Sequence, residues 1–325
     1  MAIDRRAFLG AAAVFAAAGA VRRADGAGET QEVGGRKFVA ACPPVTNEMT
    51  RRPGPPRVMI IGAHPDDADI VCGGTAIKLM KKGCKVKFVS VTDGRMGHHK
   101  YDPAETARVR RMETLEAARR LGLDGYDIYG APDCGLYPTE EWRCRVAKEI
   151  RAYEPDYIIT HRTCDYHADH RATGTLVTDA GYLLGVPHWC PEVKPQRARP
   201  VILYMTDVFT VPREIRPDVM IDVGDCIDAY CDALDAQVSQ FYDWLPWDKG
   251  VEAEVRALGD RSDIAKRNAY LMKYWGNKKL ATAKRFAAAW AKQNPLKPLP
   301  KYMEVCEVSE YGRAPTAEDL RLLSE

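Results

Sequence analysis

Two short stretches hold residues that together could bind a metal ion and move a proton. Ala63-His64-Pro65-Asp66-Asp67 follows one apolar run, and Asp165-Tyr166-His167-Ala168-Asp169-His170 follows another. Imidazole and carboxylate at short spacing suit zinc or another divalent transition metal such as Fe2+, whereas magnesium or calcium would be held by oxygen almost alone. His64, Asp67, His167 and His170 could close a tetrahedron, but a hydrolytic metal keeps one position for water, so one of the four should stand off it. Such a metal lowers the pKa of water from about 15.7 to about 7, and a neighbouring carboxylate, Asp66 or Asp67, can take the proton. A lone histidine at a strand end is ordinarily a hydrogen-bonded structural residue; three histidines and four aspartates at two strand ends outweigh that reading. His161, His188 and the pair His98-His99 have no spaced partner and read as structural or substrate-adjacent. Cys72, Cys84 and Cys164 read as small buried hydrophobes.

These stretches need elements to bring them together. The apolar pattern predicts strands at 58–62, 85–92, 157–160, 201–211 and 219–223, and helices at 74–82, 104–121, 140–153 and 173–184. The stretch from 225 to 293 reads as mostly helical, with a Trp-rich turn at Trp244-Leu245-Pro246-Trp247. Continuous apolar strands alternating with helices predict an α/β fold: a Rossmann-like, mostly parallel sheet with helices on both faces. Ligands of open parallel sheets sit at the carboxyl ends of the strands, where both candidate stretches fall. Neither G-x-G-x-x-G nor the lysine of a phosphate loop is present in 62–74, so nucleotide binding is not supported.

Composition narrows the classes further. The 325 residues carry 47 Lys+Arg against 45 Asp+Glu, a net charge of +2 that argues against a nucleic-acid partner. Ten cysteines with no C-x-x-C pair exclude a zinc finger of the usual spacing. At the N-terminus, Arg5-Arg6 precedes an Ala-rich apolar stretch from Ala7 to Val21, with Ala18-Gly19-Ala20 as an A-x-A exit. That order is a signal peptide of the twin-arginine type, too short for a stable transmembrane span, which needs about 20 apolar residues. Residues 1–27 are therefore expected to be a signal handled by twin-arginine export machinery, 28–56 a flexible linker, and 57–325 the folded domain, active in the periplasm or outside the cell.

The sequence resembles the LmbE-like zinc N-deacetylases, the PIG-L family that includes N-acetylglucosaminyl-phosphatidylinositol deacetylases and the deacetylases of mycothiol and bacillithiol type. The resemblance rests on Gly62-Ala63-His64-Pro65-Asp66-Asp67 with Gly73-Gly74-Thr75, on Thr92-Asp93-Gly94, and on Arg110-Arg111-Met112-Glu113 with Leu121-Gly122. Pro155-Asp156 and Asp165-Tyr166-His167-Ala168-Asp169-His170-Arg171 complete it, with weaker matches at Ala233-Leu234, Ser239-Gln240 and 302–313. The resemblance implies an LmbE-like three-layer sandwich in which His64, Asp67 and His170 bind zinc and Asp66 is the general base. It also implies that His167 stands off the metal to stabilise or protonate the tetrahedral intermediate, that Asp169 orients His167, and that Arg110 contacts substrate. Three departures stand out. Ala68-Asp69 replaces the acid that many members place directly after the two aspartates. Gln237 stands where a histidine is common, which would alter substrate contacts. The helical stretch at about 241–295 is longer than the minimal pattern.

The leading expectation is thus an exported zinc enzyme that removes acetyl from an N-acetylated sugar or glycoconjugate. The alternatives are the same chemistry on another small amide, or a catalytically inactive sugar-binding protein. Changing Arg5 and Arg6 to Lys is expected to hold the protein in the cytoplasm; cell fractionation showing unchanged export would refute the signal.

Overall fold

The computed structural model describes residues 53–324 together with two short strands, β1 (Glu32–Val33) and β2 (Arg36–Lys37). The expected signal at 1–27 and most of the linker lie outside the described residues. Among the described residues no helix is long and apolar enough to cross a membrane.

The framework is a seven-stranded sheet. Its first strand, β3 (Arg57–Gly62), reads Val-Met-Ile-Ile through its centre because both of its faces are covered. Val58 and Ile60 join one apolar cluster with Val86 and Phe88, while Met59 and Ile61 point to the other face with Val89 and Val91. The chain continues through α1 (Asp67–Lys81), β4 (Lys85–Thr92), α2 (Pro103–Leu121) and β5 (Gly125–Ala131). It then crosses back through α3 (Glu140–Tyr153), β6 (Tyr157–Thr160), α4 (Ala168–Leu183) and β7 (Val201–Met205). The strand order is β5-β4-β3-β6-β7-β9-β8, where β8 is Val219–Asp222 and β9 is Met303–Val308. The pairs from β5 to β7 are parallel, and those of β9 with β7 and β8 are antiparallel. Because the chain leaves β3 on one side and returns beside it as β6, the two strands diverge at a topological switch point. Both candidate stretches open there.

Most predicted elements are present, with shifted ends. Helices α1 and α4 start several residues earlier than predicted, because the polar residues of their first turns are buried at the sheet edge rather than left in a loop. The strand predicted at 201–211 ends at Met205, and β5 and β9 were not predicted. Asp127 and Gly130 interrupt the apolar run of β5, and Glu304 and Glu307 interrupt that of β9. Both glutamates are buried with partners: Glu307 pairs with Arg213 and Arg216, and Glu304 with Lys279. After β8 the chain is helical, as predicted, through α5 (Ile227–Asp235), α6 (Leu245–Asp248), α7 (Glu252–Arg256), α8 (Ile264–Leu271), α9 (Asn277–Arg285) and α10 (Ala287–Gln293). A disulfide joins Cys144 of α3 to Cys190 in the loop after α4.

The C-terminal helix α11 (Ala317–Ser324) is tied through Asp319 to Arg313 in the segment after β9 and to Tyr157 of β6. Asp319 accepts two bonds from Arg313, at 2.6 and 2.9 Å, and one from the Tyr157 hydroxyl at 2.6 Å. Burial alone would raise the Asp319 pKa, yet the Arg313 guanidinium holds it well below the usual carboxylate range. A carboxyl whose folded pKa is depressed stabilises the fold fully above its unfolded value near 4, and that contribution is lost as pH falls toward the folded value. Asp319→Ala strands a buried guanidinium and is expected to cost about 3–5 kcal/mol at pH 7. The difference from wild type should shrink below about pH 4. Urea unfolding at pH 7 and pH 3 checks this; equal midpoints at pH 7 would refute it.

Candidate active site

The site is built where β3 and β6 end. Gly62 closes β3 without a side chain, and a Cβ there would lie 2.7 Å from the Cβ of Asp67, so glycine lets α1 begin tight beneath the strand end. Asp67 then folds back: its Oδ2 accepts from the amides of Ala63 and His64 at 2.9 and 2.7 Å. On the other side, Gly174 brings α4 close to the end of β6, since a Cβ would meet the carbonyl of His161 at 2.6 Å. His167 caps α4 and His170 follows one turn later, so both rings face the same way.

Three donors converge. His64 Nδ1 lies 3.2 Å from His170 Nε2 and 3.4 Å from Asp67 Oδ2, and His170 Nε2 lies 3.4 Å from Asp67 Oδ1. Ligands about 2.0–2.1 Å from a tetrahedral zinc stand about 3.3–3.4 Å apart, and these spacings are of that size, with His64 and His170 approaching different oxygens of Asp67. Two imidazoles and a carboxylate match zinc or Fe2+ and leave a position open. The outer ring nitrogens are held as well: His64 Nε2 faces Asp133 at 3.2 Å and Asp169 at 3.5 Å, and His170 Nδ1 faces Asp165 at 3.1 Å. Carboxylates behind ligating imidazoles fix the tautomer that turns the inner nitrogen to the metal.

Protons compete for the same atoms. Burial would depress the His64 pKa, but bonds to Asp133, Asp169 and Asp67 raise it well above the usual value. Burial likewise opposes charge on His170, yet Asp67 and Asp165 push its pKa up to about 9. Asp67 is driven down despite burial by the charges of His170 and His161. The protonation of the imidazoles is thus tied to that of the carboxylates, and metal binding to such a donor set depends on pH.

Asp66 and Arg110 stand next to this cluster. Asp66 is buried, with Oδ1 3.3 Å from an Arg110 nitrogen; burial raises its pKa and the arginine opposes the rise. Arg110 is only 2% exposed, and its Nε and Nη1 have no partner, although the residue lines the cleft. His167 Nδ1 accepts from the Asp169 amide, which leaves Nε2 as the ring's donor. Its pKa is lowered, first by burial and then by the neighbouring histidines, so the ring is held neutral with Nε2–H available. A cleft of about 760 Å³ opens over these groups, with apolar walls from Ile70, Val71, Met96, Met205, Trp244 and Trp275.

Several residues serve differently from what the sequence suggested. Asp169 turns its carboxylate to His64 and to the amides of Cys134 and Leu136 rather than to the His167 ring, which it touches only through its own amide. His161 belongs to the cluster: it stacks on His170 with 4.0 Å between ring centroids, and its Nε2 is 3.2 Å from Asp67. It lacked a spaced partner in sequence; its one signal was its place directly after a strand. Asp133 was missed because it follows the unpredicted strand β5. Gln237 is fully buried and does not line the cleft. Asp69 is also buried, bonded to the Tyr126 hydroxyl at 2.8 Å and pushed up to about 7 by burial. Trp247 lies flat on His99 at 4.8 Å, whereas Trp244 reaches the cleft.

Residues 59–181 match the family model of GlcNAc-PI de-N-acetylase, PIG-L. This segment is a PIG-L-type domain. It carries all of the converging donors and Asp66, and the seven-stranded sheet extends it on the β7 side. The chain is 28% identical over 204 residues to diacetylchitobiose deacetylase of Thermococcus kodakarensis, covering 59% of this chain and 73% of that one. It is 26% identical over 193 residues to a probable N-acetyl-alpha-D-glucosaminyl L-malate deacetylase 2 of Bacillus anthracis, covering 57% and 81%. The fold is shared with N,N'-diacetylchitobiose deacetylase from Pyrococcus horikoshii, with a TM-score of 0.60 and 23% identity over 78% of this chain and 84% of that one. The matched segment is thus similar to that of hydrolases that remove N-acetyl groups, and it carries a His/Asp cluster suited to a metal.

Replacing Asp67 or His170 by Ala should abolish stoichiometric zinc binding, and Asp133→Ala should weaken it by about 10–100-fold through loss of support to His64. Zinc uptake near pH 7.5 should release protons into a weakly buffered solution. Full zinc occupancy in Asp67→Ala, or uptake without proton release, would refute the ligand assignment.

Proposed function

We propose that the protein is an exported zinc-dependent N-deacetylase that removes acetyl from an N-acetylamino sugar or glycoconjugate. The observation that carries this reading is the convergence of His64, Asp67 and His170 to within 3.4 Å of one another beside Asp66, at the floor of a cleft large enough for a sugar. The relatives support the substrate class, since those named act on N-acetylglucosaminyl compounds. The signal-like N-terminus supports export, and so does the Cys144–Cys190 disulfide, a bond favoured in oxidising compartments.

Zinc held by the three donors would supply Lewis acidity toward the amide oxygen and acidify water. Asp66 sits one residue before a ligand, and its raised pKa makes it a stronger base than an ordinary aspartate for taking the proton of the attacking water. Arg110 fixes the Asp66 carboxylate through Nη2, and its Nε and Nη1 are buried without a protein partner. His167 offers Nε2–H to the oxygen that gains charge as the amide carbon becomes tetrahedral. Asp165, Asp133 and Asp169 hold the ligating rings in place, and the apolar walls limit water around the developing charge.

The test is to incubate zinc-loaded protein with a panel of N-acetylated sugars and measure free acetate and amine. Asp66→Asn should retain zinc and lose most turnover, because an amide accepts no proton. His167→Ala should lower kcat by about 10²–10³, the size of one lost oxyanion donor. Near wild-type turnover by zinc-loaded Asp66→Asn would refute the mechanism.

A further inference from the structure

The cleft runs along the carboxyl edge of the sheet well beyond the metal donors. Neighbouring strands in the order β3-β6-β7-β9 each give it lining residues: His64 after β3, His161 and Arg162 after β6, Met205 and Thr206 at the end of β7, and Met303 and Glu304 at the start of β9. The register keeps these positions level, since Ile61 pairs with Thr160, Thr160 with Tyr204, and Met205 with Cys306. Two strand spacings of about 4.8 Å put β9 roughly 10 Å from β6. The floor therefore continues past a single sugar ring seated with its amide at the donors.

This far end is closed by α1 and α9. Lys279 of α9 donates to the Ile70 carbonyl at 3.2 Å and pairs with Glu304, which also accepts from the amides of Gly74 and Thr75. Ile70 and Val71 therefore stand beside the start of β9, one turn along α1 from Asp67. Both line the cleft with Leu245, and all three are half-buried. Met205, Met303 and Trp275, each at most 2% exposed, complete the lining. The polar side chains at this end are already used. Thr206 Oγ1 donates to the Val305 carbonyl and accepts from the Val305 amide, and Thr282 Oγ1 donates to the Lys278 carbonyl of its own helix. Arg162 is paired with Asp207, and Arg285 bonds Glu214 and the Asp207 carbonyl. Lys249 and Lys278 are solvent-exposed. A hydroxylated group placed at this end would lose water without gaining partners, whereas an alkyl or aryl group would only bury apolar area.

We infer that this end of the cleft is an apolar subsite, with Ile70 and Val71 as specificity-determining residues, that takes an uncharged alkyl or aryl aglycone on the N-acetylamino sugar. The inference rests on the deacetylase reading and deepens it: because acetyl is the group removed, the apolar chain sits on the sugar rather than on the amide carbonyl. A second sugar, a polyol or a carboxylate finds no free partner there.

The test measures binding by calorimetry to zinc-loaded full-length protein, wild type and Ile70→Asn. The ligands are the methyl and hexyl glycosides of N-acetylglucosamine, the disaccharide in which a second N-acetylglucosamine replaces the alkyl group, and the methyl glycoside of N-hexanoylglucosamine. Wild type should bind the hexyl glycoside at least roughly tenfold more tightly than the methyl glycoside, since each buried methylene contributes a factor of about three to four. The disaccharide should stay within about threefold of the methyl glycoside, because its added hydroxyls meet no partner. Ile70→Asn should bind the methyl glycoside as wild type does and bring the hexyl-to-methyl ratio within about threefold. Val71→Asn supplies the same comparison if Ile70→Asn fails to fold. Equal affinity of wild type for the two alkyl glycosides, a disaccharide that gains as much as the hexyl glycoside, or a hexyl preference that survives both substitutions overturns the inference. Tighter binding of the N-hexanoyl sugar than of the hexyl glycoside also overturns it, by putting the chain on the amide side. Acetate release measured in parallel tests the other reading: release from none of the acetylated sugars defeats the deacetylase assignment, while the binding ratios still decide the subsite.

Discussion

The structure depends on holding two imidazoles and a carboxylate within 3.4 Å of one another at the edge of an apolar sheet. Polar groups this close and this buried are tolerable only when each is bonded and the charges cancel. The molecule meets that demand in layers. Asp67 spends one oxygen on two backbone amides, Asp133 and Asp169 stand behind His64, Asp165 stands behind His170, and His161 stacks beneath. The supporting groups arrive from the carboxyl ends of three parallel strands, β3, β5 and β6, and from the first turn of α4. The switch point between β3 and β6 is where that many strand ends can meet.

The helices after β8 are joined to this centre by buried polar contacts rather than by apolar packing alone. Glu304 of β9 accepts from the amides of Gly74 and Thr75, at 3.0 and 2.6 Å, and pairs with Lys279 of α9. One side chain thereby ties α1, the antiparallel edge of the sheet and the cleft wall together. Glu113 of α2 does the same for the segment that leads into Trp244, accepting from the Ser239 amide and hydroxyl at 2.7 and 2.6 Å. Gln240 then reaches the Gly97 carbonyl at 3.0 Å, which sets the loop after β4 against the helices. The rings of Tyr101, His98, His99 and Trp247 stack in sequence across the same junction. The shape of the cleft is thus a property of these contacts, although the reacting groups lie elsewhere in the chain.

Some of this was legible from the amino acids alone. The apolar tetrad of β3, the short run of β6 and the His/Asp stretches after them identified the sheet, its parallel sense and the place of the site. Those signals are local, since a buried parallel strand must be apolar along its length and its polar successor must sit at its end. His167 and His170 share a face through helical spacing alone. What local pattern could not supply was the identity of the groups behind the donors. Asp133 and His161 are single residues with no spaced partner, and they matter only because β5 and β6 end near β3. The orientation of Asp169 toward His64 was likewise decided in three dimensions, because the amides of Cys134 and Leu136 capture its carboxylate. Sequence determined which residues could bind and react; tertiary structure decided which of them touch, because a hydrogen bond is set by a few tenths of an ångström between chain segments that local patterning does not relate.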